Sequence, residues 1–324
     1  MAHGRRVFGI MGLFLMGVLI SSGCQQMGVT SIPGKELKKK YTNEHSRFLE
    51  HRGMKIHYRD EGSGPPLVLI HGVCASLHTW DGWVEALKED YRIIRLDLPG
   101  FGLTPLTDIR FIRREASVEL LDEVLDILGV AHFSLAGNSL GGYISWTYTV
   151  AHPEKVDRLI LVDPAGYPMD FPWLLSFASN PLIRPFARRV MPKFIFNMAV
   201  SQVYGDNDRI TDAVRDRYFE LAMRPGGKND YVDIFTVLKK ELKAPEVDRG
   251  IDQVAVPLMV MWGGKDIWIP YDEHFPRWQA DYPEATMVTY QGAGHVPMEE
   301  VPALSARDAG FFLAGQLDGR TITH

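Results

Sequence analysis

The sequence predicts an α/β fold: a mostly parallel, doubly wound sheet with a helical segment inserted after the sixth strand. Three observations carry this expectation. Continuous apolar runs that end at glycine or at a turn, such as PPLVLIHG and VDRLILVDPAG, have the pattern of strands buried on both faces of a parallel sheet. Segments with apolar residues at helical spacing, such as SVELLDEVLDILGV, alternate with them. That alternation stops near Tyr167 and resumes near Gly250, so the residues between read as an insertion in one domain, not a linker between two.

Composition supports a folded chain with a substantial core. A hydrophobic content of 46% over 324 residues fills a substantial core, which excludes general disorder. The net charge of −5 excludes the basic face of a nucleic-acid-binding protein. Two cysteines exclude a disulfide framework and lack the clustered spacing of a zinc site.

Taken in order, residues 1–23 read as a secretory signal: MAHGRR is positive, residues 7–20 are apolar, and small residues follow. The apolar run is short for a bilayer span, which takes roughly 20 residues. Cys24, directly after Ser-Ser-Gly, resembles a bacterial lipoprotein processing site, although Ser21 stands where that pattern usually has leucine. The expectation is an exported, envelope protein lipidated at Cys24, facing the periplasm or on the outer membrane. An ordinary signal peptide or a short anchor is the alternative. Residues 24–45, with KELKKK at their centre, read as a polar tether whose lysines meet solvent or lipid head groups.

Ordered patterning starts near Phe48. FLEH and MKIHYRDEG flank His51-Arg52-Gly53 as a hairpin. A strand (PPLVLIHG), a helix (WDGWVEALKED), a strand (YRIIRLDLPGFG), the helix ending at Gly129, a strand (HFSLAGNS), a helix (LGGYISWTYTVAHP) and a strand (VDRLILVDPAG) follow. Residues 167–250 are helical and rich in Pro, Phe, Trp and Arg. The strand VPLMVMWGGKD, a helix near PRWQADYP, the strand ATMVTYQGAGH and a helix through ALSARDAGFFLAG close the chain. The core therefore comprises residues 46–166 and 251–324.

The chemistry centres on GNSLGG. Ser139 sits where an apolar strand meets a helix, and ligands of open α/β sheets bind at the carboxyl ends of strands. Small residues at 137, 141 and 142 allow strand, helix and turn to approach, and the turn exposes the serine hydroxyl. The Leu140 N–H lies beside it at the positive end of a helix dipole. A serine needs a base, and the base needs an orienting acid. His295 and Asp266 each follow a buried strand downstream; Asp163, ending the preceding strand, is the rival acid. Val73, after His71-Gly72, offers a second backbone donor, so Val73 and Leu140 are the candidate oxyanion hole. His71 and Asp97 read as loop supports, and Cys74 as a packed small residue.

The HG loop, DLPGFG, GNSLGG, DPAG, WGGKD and GAGH segments, in this order, resemble the α/β-hydrolase family over nearly the whole chain after the tether. The resemblance implies a serine hydrolase with a helical cap over residues 167–250 and a Ser139–His295–Asp266 triad needing no metal or organic cofactor. Serine at the elbow departs from the dehalogenases and epoxide hydrolases of this fold, which use aspartate there. A lipase or carboxylesterase acting on a small-molecule ester or lipid is the first expectation. A hydrolase of carbon–carbon bonds in ring-cleavage products, a cofactor-free haloperoxidase or perhydrolase, and a non-enzymatic lipid-binding envelope protein are the alternatives. His78, Trp80, Trp173 and Phe177 are the candidate substrate contacts.

Overall fold

A computed structural model describes residues 26–324; the expected signal peptide and Cys24 lie outside the described residues. Nine strands form one sheet in the order β1-β2-β4-β3-β5-β6-β7-β8-β9. β1 (Ser46–His51) and β2 (Met54–Glu61) make the expected hairpin, antiparallel to each other, and β2 pairs antiparallel with β4 (Arg92–Leu96). Every other neighbouring pair is parallel: β3 (Pro66–Ile70), β5 (Phe133–Asn138), β6 (Val156–Val162), β7 (Leu258–Gly263), β8 (Thr286–Tyr290) and β9 (Thr321–Thr323). The chain winds outward in both directions from β3, because β4 lies on one side of it and β5 on the other. The carboxyl ends of β3 and β5 therefore frame the crevice in which an open sheet binds ligands.

Burial follows the sequence pattern. All six residues of β7 and all five of β8 are buried, as the uninterrupted apolar runs require of strands covered on both faces. Helices α2 (Asp81–Leu87), α3 (Arg114–Ile127), α4 (Leu140–Ala151), α10 (Tyr271–Asp281), α11 (Pro297–Glu300) and α12 (Pro302–Leu313) accompany the sheet. Five more helices lie between β6 and β7: α5 (Trp173–Ala178), α6 (Arg184–Ala187), α7 (Lys193–Val203), α8 (Asp212–Ala222) and α9 (Gly227–Glu241). β9 was not legible beforehand. It is three residues long at the sheet edge, with two of them exposed, so it carries no apolar signature.

The segment read as a tether is structured in its second half. α1 (Gly34–Tyr41) buries Leu37 and Tyr41, one helical turn apart, and leaves its lysines outside. Ile32 N–H donates to Met223 O, and the Tyr41 hydroxyl and Lys40 both bond Glu220 of α8. The Arg59 guanidinium donates to the Tyr41 carbonyl. Two apolar anchors hidden in a lysine-rich stretch thus fix the segment onto the body, in place of a solvated spacer.

Candidate active site

Ser139 directly follows β5, capping α4, in a backbone conformation that non-glycine residues rarely adopt, φ 55° and ψ −116°. Such strain persists only where the surroundings over-determine it, and it collects at functional sites. The surroundings here are backbone. A Cβ on Gly137 would stand 2.3 Å from Gly141 O, and one on Gly141 would stand 2.2 Å from Ile70 O. Strand β5, helix α4 and the end of β3 thus meet at distances only glycine permits. Ser139 N–H donates to Val162 O, and Ser139 O accepts from both Tyr143 and Ala165, so both chain directions out of the turn are fixed.

His295 and Asp266 leave the ends of β8 and β7. Asp266 Oδ2 lies 2.7 Å from His295 Nδ1, and its Oδ1 accepts the N–H groups of Trp268 and Ile269. The carboxylate thereby holds the imidazole with its proton on Nδ1, which leaves Nε2 as an acceptor. That Nε2 is buried and has no hydrogen-bond partner among the described residues. A buried unpaired nitrogen calls for an explanation, and its position supplies one: His295 and Ser139 line the same cavity.

Asp163 directly follows β6 with φ 44°, and its Oδ1 accepts the Gly263 N–H. One oxygen of each carboxylate and one ring nitrogen of His295 all lie within 4.8 Å of one another. Burial, and then the adjacent Asp266 charge, push the Asp163 carboxyl well above its ordinary range. The histidine's direct partner is Asp266, so of the two acids it is Asp266 that orients the ring.

Val73 and Leu140 flank Ser139 along one wall. Neither N–H donates elsewhere among the described residues, as a pair of oxyanion donors requires. The supports fall as expected. His71 donates from Nδ1 to Gly72 O and accepts the Leu98 N–H at Nε2; its burial pulls the imidazole down to the neutral form. Asp97 accepts from His57 Nδ1, Leu77 N and Leu103 N. Burial alone would raise its carboxyl, but the His57, His71 and Leu103 contacts together outweigh that and hold it below the usual range. Burial pushes the Cys74 thiol up, so it packs in the cavity wall as an inert group.

The cavity is narrow, with about 70 Å³ of accessible room inside about 730 Å³ of space that runs out to solvent at its mouth. Its far walls come from α5, α7 and α9, through Leu174, Leu175, Ile195, Phe196 and Phe235, and no Lys, Arg, Asp or Glu lines it. The four expected substrate contacts are absent from this lining. Trp80 is fully buried against Trp83, and His78 turns toward the Tyr41 carbonyl and Asp81. Trp173 and Phe177 point outward, 61% and 51% exposed, while their helix neighbours Leu174, Leu175 and Ala178 face in.

Two residues without a sequence signal hold the site together. Asn138 donates from Nδ2 to both Val162 O and His295 O, tying the serine turn to the histidine loop. Glu300, fully hidden at its side chain, accepts the N–H groups of Gly205, Asp206 and Gly294. His295 N–H donates to Val203 O at the end of α7. The histidine loop and the helices over the cavity are therefore one hydrogen-bonded unit.

Comparison with known proteins places this geometry. The profile of the alpha/beta hydrolase fold family matches residues 65–302. The chain is 26% identical to a pimeloyl-[acyl-carrier protein] methyl ester esterase of Nitrosomonas europaea, over 76% of this chain and 95% of that one. It is also 26% identical to a 2-hydroxy-6-oxononadienedioate/2-hydroxy-6-oxononatrienedioate hydrolase of Burkholderia vietnamiensis, over 75% and 85% of the two chains. Among solved structures, a membrane phospholipase A superposes with a TM-score of 0.71 at 25% identity, covering 95% of this chain and 98% of that one.

Proposed function

Since the chain belongs to the alpha/beta hydrolase fold family, we propose that it is a serine hydrolase of carboxylic esters with an uncharged, apolar acyl part. The observation that carries the ester reading is the cavity lining. A dioate such as the substrate named for the Burkholderia relative brings two carboxylates, and burying an unpaired carboxylate is prohibitive. This cavity offers such groups no cation, whereas a fatty acyl chain needs only the Leu, Ile and Phe walls that are present. The esterase and phospholipase neighbours are consistent with that choice.

The mechanism follows from the parts. His295 Nε2 takes the Ser139 hydroxyl proton as Oγ bonds to the ester carbon. The carbonyl oxygen becomes an oxyanion facing the Val73 and Leu140 N–H groups. Asp266 steadies the imidazolium on its Nδ1 side. His295 then returns the proton to the departing alkoxide as the C–O bond breaks. A water, deprotonated by the same Nε2, cleaves the acyl-enzyme and frees the acid. Export and a lipidated Cys24 remain part of this reading, on the strength of residues 1–24 alone; among the described residues no helix is long and apolar enough to cross a membrane.

The test is a steady-state assay on p-nitrophenyl esters from acetate to palmitate, beside a 2-hydroxy-6-oxo-dienoate. Ester turnover that Ser139→Ala lowers by about a millionfold in kcat, with little turnover of the dienoate, is expected. Faster cleavage of the dienoate than of any ester would replace this reading with the carbon–carbon hydrolase.

A further inference from the structure

The helices over the cavity are apolar on both sides. On α5, Leu174, Leu175 and Ala178 face the cavity, while Trp173 and Phe177, one turn apart, are exposed. On α7, Ile195, Phe196 and Ala199 face in, while Phe194 and Met198, again one turn apart, face out. Between them Leu182 is 88% exposed and Phe186 is 61% exposed. A helix that is hydrophobic all round is normally buried, and an apolar patch of this kind marks a surface that another phase or molecule covers.

Two observations identify the occupant. Residues 171–205 contain no Asp or Glu and four basic residues, Arg184, Arg188, Arg189 and Lys193. Arg188 and Lys193 have ion-pair partners in Asp233 and Asp216, but Arg184 and Arg189 have none among the described residues. Aromatic and aliphatic side chains rimmed by arginines that lack an ion-pair partner match the interface of a bilayer that carries anionic lipid. Moreover, residues 27–29 lie against this patch. The Lys228 ammonium bonds the carbonyls of Gly28, Val29 and Arg189 together, Gly28 packs on the Met191 backbone, and Met27 and Val29 are exposed beside them. The apolar residues 7–20 precede this point in sequence.

We propose that the outer faces of α5, α6 and α7, through Trp173, Phe177, Leu182, Phe186 and Phe194, dock on an anionic bilayer, so that the inner faces of the same helices open the cavity toward its acyl chains. The docking does not depend on the hydrolase reading; only its use for substrate delivery does.

Trp173 makes the proposal measurable, because it is the exposed one of the seven tryptophans. The full-length protein is mixed with phosphatidylcholine–phosphatidylglycerol vesicles whose acyl chains are plain or brominated. Expected is quenching by the brominated chains that disappears in Trp173→Phe and in Phe177→Glu/Phe194→Glu. In the double variant, hydrolysis of a water-soluble short ester stays unchanged, while that of a vesicle-borne ester falls about tenfold or more, as loss of inserted apolar area dictates. Equal emission in plain and brominated vesicles that carry the bound protein overturns the proposal. So does a Trp173 already shielded from iodide without vesicles, since residues 7–20 or a second copy would then cover the patch. Quenching with no turnover of any ester keeps the docking face and discards the hydrolase reading.

Discussion

The two sides of the cavity are built on opposite principles. On the sheet side, Ser139, Asp266 and His295 stand on loops whose backbones touch at distances only glycine allows, with nearly every polar group committed to a named partner. On the helical side, α5 and α7 present apolar side chains both inward and outward, and no charged side chain lines the cavity. Geometry is specified where bonds are made and broken. Volume alone is specified where a substrate chain would lie. A substitution on the sheet side should therefore change rate or stability in an all-or-none manner, and one on the helical side should change preference by degrees.

The largest effect tests the first half of that contrast. Asp266→Asn keeps the shape but removes the charge that fixes His295 with its proton on Nδ1. A fall in kcat of about 10^4-fold is expected, with an unchanged melting profile. A fall of less than tenfold would show that the imidazole is oriented from elsewhere.

Next comes the seam between the sides. Glu300→Gln leaves one oxygen for three backbone donors and turns an amide toward the others. Each buried donor left unpaired costs roughly 1–3 kcal/mol. The denaturant midpoint should drop accordingly, and kcat should fall with it, because Gly294 precedes His295 and Gly205 follows α7. Normal stability with altered kcat would instead make Glu300 a positioning residue with little structural weight.

What could be read beforehand divides along the same line. Ser139, His295 and Asp266 were legible because strand ends, glycines and turn residues punctuate the chain at short range. The helical side was not, and the errors there have a shared cause. Trp173 and Phe177 were expected inside because they are apolar residues of the cap. In a helix apolar on both faces, residue type carries no periodic information about which face is which. His78 and Trp80 follow a tight turn whose direction depends on Asp97 accepting the Leu77 N–H, a contact between residues 20 positions apart in sequence. α1 escaped notice because its two anchors, Leu37 and Tyr41, stand among lysines in a helix of 8 residues. Glu300 and Asn138 act through backbone groups, which leave no mark on residue type.

A graded effect is expected across the cavity. Ala199 lines it from α7, so Ala199→Trp should shorten the acyl chain the enzyme accepts without touching the loops. Loss of room for one methylene is worth about 10- to 200-fold in discrimination. The ratio of kcat/KM for palmitate over butyrate ester should fall within or beyond that range, while butyrate turnover holds. An equal loss on both esters would mean that the helical side shapes the catalytic geometry too.

The smallest effect on activity is expected at Asp163, where the sheet side breaks its own rule. Its Oδ2 is buried without a donor, beside the Asp266 carboxylate. Burial first, and the Asp266 charge second, raise its carboxyl well above the ordinary range. The native protein thus keeps a proton that the unfolded chain gives up above about pH 4. Stability must then fall as pH climbs from that value toward the native one, because the native state binds more protons over that window. Asparagine is a neutral mimic of the protonated acid: its oxygen accepts the Gly263 N–H, its amide donates toward Asp266, and it tolerates the positive φ. Denaturation of Asp163→Asn should match the parent near pH 4 and exceed it increasingly above, by about 1.4 kcal/mol per pH unit until the native carboxyl ionises. Its ester turnover should stay within about tenfold of the parent, against the 10^4-fold loss at Asp266. A stability gap that does not widen with pH would mean that Asp163 is ionised in the fold, and a collapse of turnover would transfer the orienting role from Asp266 to Asp163.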